Sequence, residues 1–141
     1  MSLETAQAKG GSDIEAAIHE AAERIQSQSL VLVISDFLQS PARIARAFQH
    51  LRFNGHDVTA FHVLDAAELQ LPFHGLTELR ELETGRKILI DADEMRARYA
   101  RQVESYLEEM RRAASACAVS YHLIDTRTAV EEALQKRASR P

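Results

Sequence analysis

Apolar residues recur along this chain at two spacings, and the switches between them predict its elements. From Ser12 to Gln26 the apolar positions Ile14, Ala17, Ile18, Ala21, Ala22 and Ile25 share one face at helical spacing. Ser12 stands where a cap belongs, and Glu15, three residues on, completes a capping box. Ser29–Asp36 (SLVLVISD) is rich in β-branched residues and apolar on both faces, the pattern of a buried strand of the parallel type. Ser40-Pro41 then opens a second helix, with serine as cap and proline at the first helical position. It runs to about Phe53, where Asn54-Gly55 ends it. His56–Leu64 follows as a second strand, Val58, Ala60, His62 and Leu64 alternating against Phe61 and Val63.

Leu76–Ile90 departs from this rhythm. Leu79–Leu82 and Arg86–Ile90 are short strand-like runs on either side of Thr84-Gly85, which predicts a hairpin. Asp91 caps a long helix to about Ala116, whose apolar stripe is Met95, Tyr99, Val103, Tyr106, Met110 and Ala113. Val119–Asp125 is a third strand, and Thr128–Lys136 a last helix opened by a second capping box, Thr128 to Glu131. The expected fold is α/β: a Rossmann-like three-layer sandwich fragment with a mainly parallel sheet, right-handed crossovers and an inserted β-hairpin. The 141 residues suit one domain, expected at 12–137 between a flexible leader at 1–11 and a tail at 138–141.

Composition narrows the functional classes. With 17 basic and 21 acidic residues spread along the chain the net charge is −4, and no basic stripe exists to attract nucleic acid. A single cysteine, Cys117, excludes an internal disulfide and a cysteine-based zinc cluster. The longest uninterrupted apolar run, Leu30–Ile34, is far too short to span a bilayer, and the first residues carry no secretory h-region. The expected compartment is the cytoplasm.

Each main strand ends in an aspartate: Asp36, Asp65 and Asp125. Ligands of open parallel sheets bind outside the carboxyl ends of the strands, and three carboxylates there would suit magnesium. Capping of the next helix is the favoured account of Asp65 and Asp125, and a weaker one of Asp36, because Ser40-Pro41 already supplies a helix start. Gly10-Gly11-Ser12-Asp13 would let a backbone approach a ligand, or serve only as leader and cap. The six histidines (19, 50, 56, 62, 74 and 122) show no ligand spacing, and Cys117 reads as a small buried hydrophobe. Phosphate-loop, dinucleotide and nucleophile-elbow motifs are absent.

Taken in order, Gly10-Gly11-Ser12-Asp13-Ile14, LVLVISDF at 30–37, NGHDVTAFHVLD at 54–65, LPFHG at 71–75 and LETGRKILID at 82–91 resemble the bacterial family called domain of unknown function fifty-eight. The resemblance implies a von Willebrand factor A-like domain, often encoded beside MoxR-type AAA+ ATPases, with a metal-ion-dependent adhesion site. By resemblance Ser12 stands at that site's threonine position and Asp36 at its last aspartate, while Phe37 replaces a glycine common in other such domains. The DxSxS motif that supplies the remaining ligands does not occur in the 141 residues, so the chain resembles the C-terminal half of such a domain. The resemblance implies a non-enzymatic protein-interaction module. Magnesium would belong to the intact parent domain and would not be tightly bound to this chain. A small magnesium-dependent phosphohydrolase or nucleotide-binding domain, using Asp36, Asp65 and Asp125, is the alternative. The missing strands also imply a homodimer, formed where the Ser29–Asp36 strand lacks a neighbour, with Val31 and Val33 near its centre.

Overall fold

A computed structural model describes residues 13–70, 72–80 and 85–127. The expected leader, Ser12, the last helix and the hairpin's turn at Thr84 lie outside the described residues. Helix α1 spans Ile14–Arg24, and its cap is Asp13 rather than Ser12: the Asp13 carboxylate accepts the Ala16 amide. Glu15 is therefore not half of a capping box. Its carboxylate instead pairs with Arg43 and with Arg46 at 3.0 Å, across to the next helix.

Strand β1 (Leu30–Ser35) leads through a short loop to α2 (Pro41–Phe53), with Ser40 at the cap and Pro41 in the first turn as expected. Gly55 ends α2 at φ +82°, a left-handed conformation that costs glycine nothing. Strand β2 (Asp57–Leu64) then pairs parallel to β1, Leu32 opposite Thr59 and Ile34 opposite Phe61. A helix not expected from periodicity follows, α3 (Ala66–Gln70). Five residues are too few to show a 3.6-residue repeat, and its ends are instead set by reciprocal capping. Asp65 accepts the Ala67 amide at 2.8 Å while Glu68 accepts the Asp65 amide at 2.7 Å.

The hairpin comprises β3 (Leu76–Arg80) and β4 (Lys87–Asp91), antiparallel, with Leu76 opposite Asp91. Its first strand starts three residues before the expected Leu79, because the pairing continues down to the residues that join α4 (Ala92–Ala116). There the Ala92 amide donates to the Gly75 carbonyl at 2.9 Å and Asp93 accepts the Gly75 amide at 2.7 Å. Asp91 caps α4 through the amides of Asp93 and Glu94, as expected. Strand β5 (Ser120–Asp125) pairs parallel to β2, giving the order β1-β2-β5. The protein is α/β, with a parallel three-stranded sheet and a separate antiparallel hairpin.

Strand side chains alternate between two faces. Val33, Val58 and Ala60 meet Ile18, Ala22, Ile44, Ala47, Phe48, Leu51, Met110 and Ala114 in one buried cluster, so α1, α2 and α4 cover the same face of the sheet. The buried positions of α4 are Ala92, Leu107, Met110 and Ala114, so Met110 belongs to the buried stripe while Met95 is exposed. On the opposite face Thr59 and Phe61 are buried, but Leu30, Leu32 and Ile34 are 53%, 50% and 66% exposed. β1 is an edge strand among the described residues. Val31 and Val33 turn inward, against the helices.

Candidate functional site

The carboxyl ends of β1 and β2 converge on α3 and the middle of α4, and the side chains that could carry function gather there. The loop after β1 begins with Asp36, exposed and accepting a hydrogen bond from Ser35 Oγ at 3.3 Å. No basic residue pairs with Asp36 among the described residues. The next residue, Phe37, is fully buried although its backbone lies in the left-handed region at φ +48°. Its ring packs edge-on against Phe48 and His62, with centroids 6.0 and 5.3 Å apart. Tyr106 of α4 donates to the carbonyls of Phe37 and Gln39, tying the loop down. Its hydroxyl titrates at about 12, raised by burial and then by the Asp36 charge.

The start of α1 is fastened to the same loop. Gln39 donates to the Asp13 carboxylate at 2.9 Å, and Arg43 donates to its other oxygen at 2.9 Å. Both contacts hold the Asp13 carboxyl below its ordinary range, the Gln39 bond most strongly. Ser12 itself lies outside the described residues, but the residue that follows it is held three positions from Asp36 along the loop.

Asp65 and Asp125 have structural partners. Asp65 caps α3 and accepts Thr126 Oγ1 at 2.9 Å, and these bonds lower its pKa, the Ala67 amide first. Asp125 is gripped by the Arg127 guanidinium at 2.5 Å and by the Arg127 amide, which bring its carboxyl down to about 2. Asp36, Asp65 and Asp125 are therefore not drawn together: no three metal-ligating side chains converge among the described residues. As the sequence suggested, Asp65 caps the following helix, although that helix is α3.

The histidines form contacts that spacing did not reveal. His19 and His50 meet across α1 and α2, Nδ1 to Nδ1 at 2.7 Å. Cys117 is buried as expected, and burial raises its pKa. His62 is fully buried on the helix-covered face of β2, and its Nδ1 meets Tyr121 Oη at 2.5 Å. Burial pushes the His62 pKa down, against weaker opposing pulls from Asp36 and Glu68. The unfolded chain therefore binds this proton more tightly than the folded one. The stability that neutral His62 confers is complete above its ordinary value of 6.5 and is lost as the pH falls below it. Thermal unfolding followed from about pH 8 to about pH 5 should show a fall in melting temperature that is smaller in His62→Gln. An equal fall in both proteins would remove His62 as the cause.

The fold and its carboxyl-edge loop define a parallel α/β domain whose site side chains stand beyond the ends of β1 and β2. The family model described as Protein of unknown function DUF58 matches residues 2–130, and the chain belongs to that family. Neither a curated protein nor a solved structure matches the chain. No helix among the described residues is long and apolar enough to cross a membrane.

Proposed function

We propose that this chain is a non-enzymatic protein-interaction module, resembling the C-terminal half of a von Willebrand factor A-like domain. The intact parent domain would use a divalent cation to grip an acidic side chain of a protein partner. A metal with an open coordination position does this by accepting the partner's carboxylate as its last ligand. Asp36 and Ser12 are this chain's contribution to the metal, both hard oxygen donors of the kind magnesium takes. The observation that carries the reading is the tie between Asp13 and Gln39, which brings the start of α1 to the loop bearing an exposed Asp36 without a basic partner among the described residues. The partner is a MoxR-type AAA+ ATPase or a complex that it remodels, in the cytoplasm. A second copy of the chain is a further partner, through the edge of β1.

Calorimetry and phosphate release test this together. Magnesium alone should bind this chain weakly, and neither ATP nor a generic phosphomonoester should be turned over in its presence. Micromolar magnesium binding abolished by Asp36→Ala would overturn the half-domain reading. Phosphate release lost on Asp36→Asn, but retained on the surface substitution Arg101→Ala, would overturn the non-enzymatic one.

A further inference from the structure

A cleft of about 240 Å³ opens at the carboxyl edge of the sheet, beside Asp36. Leu64 at the end of β2 and Val103 of α4 line it with the rings of Tyr99 and Tyr106, and Asp36 and Glu68 complete it. Leu64 is buried whereas Asp36 and Glu68 are exposed, which places the apolar part within and the carboxylates at the mouth. Both tyrosine hydroxyls are already committed to main-chain carbonyls, Tyr99 to Glu68 at 2.7 Å and Tyr106 to Phe37 and Gln39. What the tyrosines offer a ligand is therefore ring surface. Glu68 spends one carboxylate oxygen on the Asp65 amide at 2.7 Å, leaving its charge without a basic partner among the described residues, as is also true of Asp36.

We infer that this cleft receives a basic side chain, arginine before lysine, from a protein partner. Pockets for whole small molecules measure roughly 300–1,000 Å³, so a space of about 240 Å³ suits one side chain better than a nucleotide. An apolar interior with a doubly acidic mouth matches a long aliphatic stem that ends in a cation, which buries its methylenes and keeps its charge near water. Arginine is favoured because its guanidinium stacks on aromatic rings and takes carboxylates in two-point contacts. The inference rests on the proposed interaction role of this chain and names the chemistry of the partner at the same face; it does not require the metal.

The test is a two-dimensional amide NMR titration of the whole chain with Nα-acetyl-arginine amide as probe. Parallel titrations use Nα-acetyl-norleucine amide, which has an apolar side chain and no charge, and Nα-acetyl-glutamate amide with magnesium. The expected result is weak binding of the arginine probe, with shifts confined to Glu68, Gln102, Val103 and their neighbours. Glu68→Gln keeps an oxygen for the Asp65 amide and should weaken this binding by about threefold, as should Asp36→Asn, the scale of an exposed ion pair. Equal binding of the norleucine probe, arginine-induced shifts spread over other acidic surfaces, or affinity unchanged in both variants would overturn the inference. Tight magnesium-dependent glutamate binding would count against the half-domain reading alone, because the arginine titration contains no metal.

Discussion

Sedimentation at high micromolar concentration is expected to show a homodimer that Ile34→Lys dissociates. β1 has β2 on one side and no strand on the other among the described residues, so its outer edge offers a row of backbone donors and acceptors. Natural edge strands are guarded by charge, proline or a bulge, and Leu30, Val31, Leu32, Val33 and Ile34 provide neither charge nor proline. An open apolar groove of about 250 Å³ runs beside this edge, lined by Ile14, Ala17 and Ala21 of α1 and by Val31–Ile34. Leu30, Leu32 and Ile34 add an apolar patch on the face that the described helices leave uncovered, and contiguous patches of this kind mark interfaces. Two-fold pairing of the edges satisfies the backbone and covers the patch together. In such a dimer the backbone of Val31 and Val33 lies near the centre, but their side chains point into each protomer's own core. Val31→Lys should therefore destabilise the fold, while a lysine at Ile34, 66% exposed in the monomer, should leave it folded and monomeric. A stable monomer at that concentration, or a dimer indifferent to Ile34→Lys, would defeat the idea.

Equilibrium urea unfolding should find Phe37→Ala destabilised by about 3–5 kcal/mol, the usual cost of emptying a buried phenylalanine site. Phe37 is fully buried between Phe48 and His62, so the lost ring leaves a void that the main-chain bonds from Tyr106 hinder from collapsing. The backbone contributes a second, opposite effect. At φ +48° any side chain with a Cβ is strained by about 1–2 kcal/mol, which burial of the phenyl ring offsets in the native protein. Alanine keeps that strain and loses the ring. Phe37→Gly loses the ring and releases the strain, so it should be no less stable than Phe37→Ala, and more stable by up to about 1 kcal/mol. Alanine proving the better tolerated of the two would show that the left-handed turn is not maintained. Phe37 thus holds a backbone conformation that glycine adopts more readily. The ring is retained because it fills the core beneath the carboxyl-edge loop.

Much of the architecture was legible from local pattern. β1, α2, β2 and α4 lie within about two residues of where apolar spacing and capping residues place them, because those signals act over one or two turns of chain. The parallel character of the sheet followed from strands apolar on both faces and joined by helices. α3 escaped periodicity, although Asp65 and Glu68, three residues apart, carry the same capping-box signature that was recognised at Thr128 and Glu131. At the first helix that signature misled. Ser12 and Glu15 have the right spacing, yet Glu15 is drawn to Arg43 and Arg46, partners some thirty residues away that no local rule contains.

The sequence by itself determined the family, the α/β class, the order of the described strands and of the helices other than α3, and the place of Asp36 at a strand end. Those properties depend on short-range periodicity and on which residue types terminate an element. Tertiary structure decided which face of β1 is left open, that Asp65 is held by Thr126 while Asp36 pairs with no basic residue among the described residues, and that Tyr99, Tyr106 and Glu68 close a cleft around Asp36. The physical reason is the same in each case. Hydrogen-bond partners and burial are set by side chains brought together from distant parts of the chain, so Asp65, which accepts from Thr126, and Asp36, which pairs with no basic residue among the described residues, read alike in sequence but differ in space.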